Sequence, residues 1–232
     1  MKSKLFLGLG IFAVVSAVAF FGFQAQATNL SFEESFFARA NKDTKLKPEQ
    51  TTGSYGFDKA HSSIGFRVRH MGLVDVPGYF RDFTGSVNYD GKEMKNSSVE
   101  FTAQMTSVDT GVKGRDDHLR RADFFEVEKF PTMTFKSTKV AKKGKQWMVT
   151  GDLTMKGVTK SMTIPFTVVD IIIDPRSNAP KMGIMAETTI NRRDFGVNYG
   201  SNMPNGVAML SDNITVVLNI EANMPAAPKT AE

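Results

Sequence analysis

Apolar and polar side chains alternate along most of the chain between residues 63 and 220. In the first such stretch Ile64, Phe66 and Val68 fall on one side, and Arg67 and Arg69 fall on the other. A period of two places successive side chains on opposite faces of a β-strand, whereas an amphipathic helix repeats about every 3.6 residues. The alternation therefore predicts an all-β fold in which each strand has one buried face.

Eight stretches carry the alternation, and they are centred near residues 66, 84, 102, 135, 150, 164, 187 and 216. Turn-forming pairs separate several of them, namely Asp90-Gly91, Lys143-Gly144, Lys156-Gly157 and Asp174-Pro175. Because these connections are short, the strands that they join are expected to run antiparallel. The sequence predicts an eight-stranded antiparallel lipocalin-like β-barrel.

The connection between the third and fourth strands, from Asp109 to Pro131, is longer than a hairpin turn. Leu119, Ala122 and Phe125 are spaced three residues apart within it, so they can share one face of a helix. We therefore expect a short helical insertion over residues 115–125.

The interior of an eight-stranded barrel either fills with side chains or holds one small ligand, and the alternation alone leaves both outcomes open. The inward positions are rich in Phe and Met, and Met is long and adaptable. Gly85, Ala103 and Gly151 also have inward parity and remove volume from the wall. The predicted apolar wall consists of Phe66, Phe83, Phe101, Met105, Phe124, Phe125, Met133, Phe135, Trp147, Leu153, Ile164 and Phe166.

Two histidines and one arginine are candidates for contact with the polar part of a ligand. His70 has inward parity and precedes a turn, so we expect it near one end of the barrel, as a ligand contact or as a structural histidine. His118 has charged neighbours, which makes ion pairing the alternative to ligand contact, and Leu119 follows it on the predicted helix. Arg193 offers a planar fork suited to phosphate, with a solvated ion pair as the alternative.

The first residues have the layout of a secretory signal peptide. Lys2 and Lys4 precede an uncharged apolar stretch from Leu5 to Phe23, and Ala25-Gln26-Ala27 follows. This layout predicts cleavage after Ala27 and a periplasmic or secreted protein. An uncleaved membrane anchor is the alternative, because the stretch approaches the ~20 residues that span a bilayer. The predicted organisation is a signal peptide at 1–27, an extension or linker at 28–54, a barrel domain at 55–222 and a flexible tail at 223–232.

One part of the extension has a helical pattern. Ser31 and Glu34 form a capping box, and Phe32 and Phe36 are one helical turn apart. A short frayed helix explains this pattern, and an arm that touches a membrane or a partner is the alternative.

Composition and motif spacing argue against several classes of function. The sequence has no cysteine, so a disulfide framework, a thiolate metal site and a cysteine nucleophile are excluded. A net charge of +5 over 232 residues is no footprint of nucleic-acid binding, which needs a clustered basic face. The three histidines lack His-x-x-x-His spacing, and no Gly-x-Ser-x-Gly motif is present. We therefore predict no metal, no cofactor, no catalytic residues and no nucleic-acid partner.

A series of sequence blocks between residues 55 and 222 follows the order of a known family. The first reads Phe57-Asp58-Lys59-Ala60-His61-Ser62-Ser63-Ile64-Gly65-Phe66, and the others cover residues 68–71, 78–85, 107–110, 115–119, 123–125, 130–135, 151–160 and 193–196. Together they resemble the YceI-like family of exported lipocalin-like barrels. Each block alone is weakly specific, and the specificity lies in their number and order.

The resemblance implies a barrel whose interior binds a long isoprenoid or another fatty amphiphile, in an exported protein that is often a homodimer. A membrane that the protein contacts transiently is a further candidate partner. Two other functions remain open at this point. One is an enzyme that acts on a lipid or quinone with His70 or His118 as acid–base, and the other is a packed barrel that serves as an interaction module through Phe32–Phe37.

Overall fold

The structure is a computed structural model, and it describes residues 46–225. The predicted signal peptide, the arm at Phe32–Phe37 and the end of the predicted tail from residue 226 lie outside the described residues. Within the described range there are eleven strands. They are β1 (Gly53–Phe57), β2 (Ser63–His70), β3 (Val74–Phe80), β4 (Phe83–Tyr89), β5 (Ser98–Gln104), β6 (Val108–Asp109), β7 (Thr132–Lys143), β8 (Gln146–Met155), β9 (Val158–Ile173), β10 (Pro180–Asn191) and β11 (Leu210–Asn223).

Eight of these strands close into an antiparallel ring in the order β1, β4, β5, β7, β8, β9, β10 and β11. The ring closes where Gly56 and Phe57 of β1 pair with Asn223 and Ala222 of β11. The predicted eight-stranded antiparallel barrel is therefore confirmed. Strand β2 continues beyond β1 along β11, and β3 pairs with β2 before the chain passes into β4. Strands β1 and β2 form one arm of a long bent hairpin, and β3 and β4 form the other, because β1 pairs with β4 and β2 pairs with β3.

The alternation missed three strands for identifiable reasons. Strand β1 is short and rich in glycine, and it begins two residues before the predicted start of the barrel domain. Strand β3 contains Pro77, which cannot donate a ladder hydrogen bond and reads as a break in the pattern. Strand β6 has only two residues, which is too short to show a period.

Residues 48–54, predicted as linker, are packed against the barrel. A helical turn, Pro48–Thr51, precedes β1. The side chain of Thr51 is buried, and its carbonyl accepts a 2.6 Å hydrogen bond from the hydroxyl of Tyr55, which is also buried. Burial raises the pKa of Tyr55 to about 12.

The side-chain parity of the strands agrees with the sequence pattern. On β2, Phe66 and His70 face the interior, whereas Arg67 and Arg69 face outward to ion pairs with carboxylates at 3.2 Å and 2.7 Å. On β7 the parity changes after Ser137, because a bulge in its pairing with β8 shifts the register by one residue. Inward positions on β7 are therefore odd-numbered before the bulge and even-numbered after it.

The helical insertion lies where it was predicted, between the third and fourth predicted strands, although it is shorter. The helix spans Lys113–Leu119, and the chain then turns instead of continuing to residue 125. The amide of Phe125 donates back to the carbonyl of Leu119, and Glu126 has a positive φ of 52°, which is incompatible with a continuing helix. Among the described residues, no helix combines the length and the apolar character needed to cross a membrane.

Two of the small residues predicted to leave gaps in the wall are covered by neighbouring rings. A Cβ atom on Gly85 would lie 2.4 Å from the ring of Phe57, and one on Gly151 would lie 2.5 Å from Phe135. The small residues therefore let aromatic rings lie flat on the sheet. Free volume appears elsewhere in the barrel, where the two cavities described below are lined by larger side chains.

Candidate ligand-binding site

The barrel encloses a main cavity of about 370 Å³. Its wall is built from inward side chains of β2, β3, β5 and β7–β11, together with the helix Lys113–Leu119 and the loops near residues 110, 124 and 199. Most lining side chains are aliphatic or aromatic. A cavity of this volume and character is typical of a site for one small apolar ligand.

Most of the predicted wall meets in this cavity. The structure brings together Phe66, His70, Phe101, His118, Leu119, Phe124, Phe125, Met133, Phe135, Leu153 and Ile164. The strand residues reach it because they share inward parity, and the residues from 118 to 125 reach it because the insertion folds over one end of the barrel.

Four predicted residues lie off the wall of the main cavity, and each has a structural reason. Phe83 begins β4 and is buried in the core opposite Ala103, and Met105 is buried in a 3₁₀ turn that starts where β5 ends. Because Met105 belongs to a 3₁₀ turn, strand parity does not determine the direction of its side chain. Trp147 lies at the hairpin end of β8, where the ammonium of Lys142 is 5.8 Å from its ring centroid. Phe166 lies farther along β9 and lines the second cavity.

Arg193 was predicted to contact the ligand, but Arg192 is the arginine that lines the cavity. Arg193 donates to Asp212 at 2.6 Å and to the carbonyls of Asn198 and Gly200, so it holds a loop in place. Both arginines belong to a 3₁₀ turn, Arg192–Phe195, where β-strand parity does not apply. The sequence contained the Arg-Arg pair, but only the turn geometry selects the inward member.

An aromatic and ionic cluster forms one end of the cavity. The ring of His118 packs edge-on against Phe124 and Tyr199, with centroid distances of 4.9 Å to each. Its Nε2 atom lies 2.6 Å from a carboxylate oxygen of Asp123, and this hydrogen bond lowers the pKa of the Asp123 carboxyl. Tyr199 lies in a loop outside any alternating stretch, so no periodic pattern indicated it.

Thr110 and Arg115 add hydrogen-bonding groups to the same end. Arg115 donates through Nε to the Thr110 hydroxyl at 2.7 Å and through Nη2 to the Thr110 carbonyl at 2.8 Å. The amide of Thr110 donates to the buried carboxylate of Asp116 at 2.9 Å. The exposed side chain of Arg115 and the partly exposed ring of Tyr199 also line the cavity, so the cavity reaches the surface at this end. We call this end the mouth.

A second cavity of about 90 Å³ lies beside the main one. It is lined by Phe57, Val87, Tyr89, Met94, Ser97, Ser98, Val99, Val140, Val149, Phe166, Val168, Met182, Ile184, Ala186 and Ile220, together with five residues that also line the main cavity. None of the mouth residues contributes to it. Phe166, predicted as part of one continuous wall, belongs to this second space.

The third histidine belongs to an ionic cluster where the turn after β1 meets β11. His61 Nδ1 lies 3.0 Å from Asp58 and 3.7 Å from Glu221, and these three residues are spaced closely enough to hold a metal ion. Lys181 already places its ammonium 2.7 Å from Glu221, and the side chain of His61 is 64% exposed. The cluster joins the turn after β1 to β10 and β11 through ion pairs, which is a structural role for His61.

The fold and the site together define a lipocalin-like barrel of the binding-protein type, with an interior cavity suited to one apolar ligand. A model of the YceI-like domain matches residues 55–222, the range predicted for the barrel domain. The chain therefore belongs to the YceI-like family. Among relatives, Protein YceI of Escherichia coli O157:H7 is 36% identical over 169 residues, which cover 72% of this chain and 85% of that protein. UPF0312 protein PC1_2518 of Pectobacterium carotovorum is 40% identical over 145 residues, which cover 62% and 75%.

Solved structures show the same architecture. BcnA of Burkholderia cenocepacia superimposes with a TM-score of 0.62 at 25% identity, covering 71% of this chain and 98% of BcnA. A polyisoprenoid binding domain from Saccharophagus degradans superimposes with a TM-score of 0.54 at 14% identity, covering 74% of this chain and 98% of that domain. The latter likeness supports the fold alone.

Proposed function

We propose that this protein is a non-enzymatic carrier or store of one linear isoprenoid or other amphiphilic lipid. The observation that carries the proposal is the main cavity, whose lining is mostly aliphatic and aromatic and which has His118, Arg115 and Thr110 at its mouth. The chain of a lipid fits the apolar part, and its polar head fits the mouth. An isoprenoid is the lipid that membership of the YceI-like family favours, and the Saccharophagus degradans domain of the same fold is described as polyisoprenoid binding.

The affinity of such a ligand comes mainly from burial of its chain. Each methylene removed from water contributes about 0.8 kcal/mol, so affinity rises gradually with chain length. The hydrogen-bonding groups at the mouth fix the orientation of the head. Because Arg115 and His118 are already paired with Thr110 and Asp123, they offer only their remaining hydrogen-bonding capacity to a ligand.

Native mass spectrometry of protein purified from its own source tests this proposal. We expect one lipid per barrel, released by organic extraction and identified by its mass. Met162 lines the cavity, so Met162→Trp is expected to lower lipid occupancy, whereas Thr163→Trp on the exposed face is expected to retain it. Empty barrels throughout, or equal occupancy in the two variants, would count against binding inside the barrel.

One observation favours a second function, an enzyme that acts on a lipid or quinone. The imidazole of His118 lies on the cavity wall with a carboxylate on one ring nitrogen, which is an arrangement that acid–base catalysis uses. Under this alternative, His118→Gln or His70→Gln would abolish conversion of the bound lipid. Under our proposal, lipid from the wild type and from both variants has the same mass. The packed-barrel alternative is disfavoured by the main cavity.

We include export and membrane contact in the proposal. Exposed apolar side chains lie in segments next to cavity-lining residues: Leu73 is 74% exposed, Val74 59%, Val112 50% and Val207 37%. Leu73 and Val74 follow the cavity-lining His70, Val207 lies near Gly72 in the turn after β2, and Val112 leads into the helix that carries Arg115. We call these four side chains the rim. With the cationic Lys113 beside Val112, this rim fits the surface of a lipid bilayer, where the cavity would exchange its ligand.

Sedimentation with vesicles that contain phosphatidylglycerol tests the rim. The double variant Leu73→Ser, Val74→Ser is expected to bind vesicles several-fold more weakly, because apolar area is lost. Ile172→Ser removes an apolar side chain that is 51% exposed on β9 and serves as the matched control. Equal binding by all three proteins would contradict the docking role. A homodimer stays a prediction that light scattering can decide.

A further inference from the structure

The partition between the two cavities is built from side chains that line both of them. These are Ile64, Phe101, Phe135, Ile164 and Leu218. They come from five different strands, β2, β5, β7, β9 and β11, so the partition crosses the barrel from wall to wall. The main cavity lies on the side of the mouth, and the second cavity lies on the far side.

A pair of aromatic rings forms one side of this partition. Phe101 and Phe135 pair across β5 and β7, with ring centroids 5.9 Å apart and ring planes 21° apart. Both rings line the two cavities, but Phe135 is 3% exposed, whereas Phe101 is only partly buried. Breaking an aromatic pair costs about as much as burial of one or two methylene groups gains. A chain segment longer than that therefore offsets the cost of moving the Phe101 ring.

The second cavity suits the end of an apolar chain and not a polar head. Its wall is mostly aliphatic and aromatic, and its hydroxyl groups belong to Tyr89, Ser97 and Ser98. The hydroxyl of Ser97 already accepts a 2.9 Å hydrogen bond from the amide of Asp90. Tyr89 packs edge-on against Tyr55. The charged and hydrogen-bonding residues Arg115, His118 and Arg192 all line the other cavity.

We propose that the second cavity is a tail chamber and that the Phe101 ring is the gate that admits only chains longer than the main cavity. The gate and the chamber together would set the chain-length preference of the barrel. This inference rests on the proposed function, because it needs a lipid whose chain starts at the mouth. The gate and the tail chamber would distinguish short from long linear apolar chains that carry the same head group.

Two substitutions on one strand distinguish binding in the main cavity from binding in the tail chamber. Ala186 and Thr188 share the inward face of β10, but Ala186 lines only the second cavity and Thr188 only the main one. Ala186 pairs with the partition residue Leu218, so Ala186→Phe places a ring at the opening of the tail chamber. Thr188→Phe places the same ring in the main cavity and is the matched control.

A series of linear prenyl alcohols of increasing length, each competed against a fluorescent fatty acid, provides the readout. For the wild type we expect Kd to fall about fourfold for each further buried methylene and to fall further beyond the main cavity, once the chain has offset the one or two methylene equivalents that moving the Phe101 ring costs. For Ala186→Phe we expect wild-type Kd values for short alcohols and no further gain for long ones. Thr188→Phe is expected to weaken binding at every length.

The outcomes separate the two proposals. Identical length profiles for the wild type and Ala186→Phe would overturn the tail chamber and leave lipid binding intact. A wild type that binds no alcohol of any length would overturn the proposed function itself. If Ala186→Phe does not fold, Phe101→Leu gives a second test. It is expected to speed association of long alcohols several-fold more than that of short ones, because the smaller side chain opens the partition, and an equal change at both lengths would also overturn the gate.

Discussion

The guanidinium of Arg192 donates a 2.9 Å hydrogen bond to Asp212 from a side chain that is only 5% exposed. The same carboxylate oxygen accepts a 2.6 Å hydrogen bond from Arg193. Arg192 also donates to the carbonyls of Val197 and Ser211. One carboxylate therefore forms ion pairs with two cations and, with these carbonyls, ties the loop after β10 to the start of β11.

Asp212→Ala is expected to lower the free energy of unfolding by about 2–4 kcal/mol, because it leaves the buried guanidinium without a counter-charge. The surface pair of Arg69 and Asp75, whose atoms are 2.7 Å apart, supplies the control. Asp75→Ala removes an exposed pair and is expected to cost less than about 1 kcal/mol. Urea unfolding measures both values, and equal losses would show that burial of Arg192 has no energetic effect.

Gly78 is expected to control the position of the Phe66 ring. A Cβ atom at Gly78 would lie 2.2 Å from that ring, which lines the main cavity from the neighbouring strand. Gly78→Ala must push the ring aside, and such overpacking costs about 1–3 kcal/mol of stability. The displaced ring also narrows the cavity, so lipid occupancy is expected to fall.

Combining Gly78→Ala with Phe66→Leu tests the cause of that loss. The shorter side chain leaves room for the new methyl group, so we expect occupancy and stability to recover in part. If the double variant is as defective as Gly78→Ala alone, the contact between these two residues is not responsible.

Asp58 is expected to make stability depend on pH in the acid range. Its hydrogen bond with His61 is the main cause that lowers its pKa from 3.8 to about 2, and a hydrogen bond from Asn223 adds to the effect. The unfolded chain then binds the proton more tightly, so the stabilisation is complete above about pH 4 and is lost as pH falls through about 2.

Urea midpoints measured between pH 5 and pH 2 provide the check. Asp58→Asn keeps the shape of the side chain but cannot titrate, so its midpoint is expected to fall less over the acid range than that of the wild type. If the urea midpoints of the two proteins fall in parallel as pH decreases, carboxylates other than Asp58 cause the acid sensitivity.

Export predicts a specific mature N-terminus. If cleavage follows Ala27, N-terminal sequencing of the exported protein begins at Thr28. Ala27→Leu is expected to slow processing strongly, because signal peptidase requires small side chains at this position. Asn29→Leu, two residues farther on, is the control and is expected to be processed normally. Exported wild-type protein that begins at Met1 would instead support an uncleaved anchor.

Side-chain alternation predicted the barrel wherever a strand is long and buried on one face. Strands β9 and β11 each carry the pattern over many residues, since one face meets the interior and the other meets solvent. Strand β3 escaped detection because Pro77 and Gly78 read as a turn, although pairing with β2 holds them extended. Local patterns cannot report a strand whose pairing partner determines its conformation.

Side-chain alternation also predicted the candidate site only where its residues lie in regular strands. Parity correctly placed Phe66, Phe135 and Ile164 on the cavity wall, because each lies inside a regular strand. It failed at Met105 and at the choice between Arg192 and Arg193, where a 3₁₀ turn replaces the strand. Tyr199 came to the mouth from a loop, and no periodicity describes a loop.

The sequence by itself determined that this chain forms an antiparallel barrel with an apolar interior, because alternation follows from which side of each strand excludes water. It also determined which family the chain resembles, through the order of its sequence blocks. Only the tertiary structure decided that the interior holds two cavities, since Phe101 and Phe135 meet across paired strands to form the partition. Long-range register, which places Ala186 beyond that partition and Thr188 before it, cannot be read from local sequence.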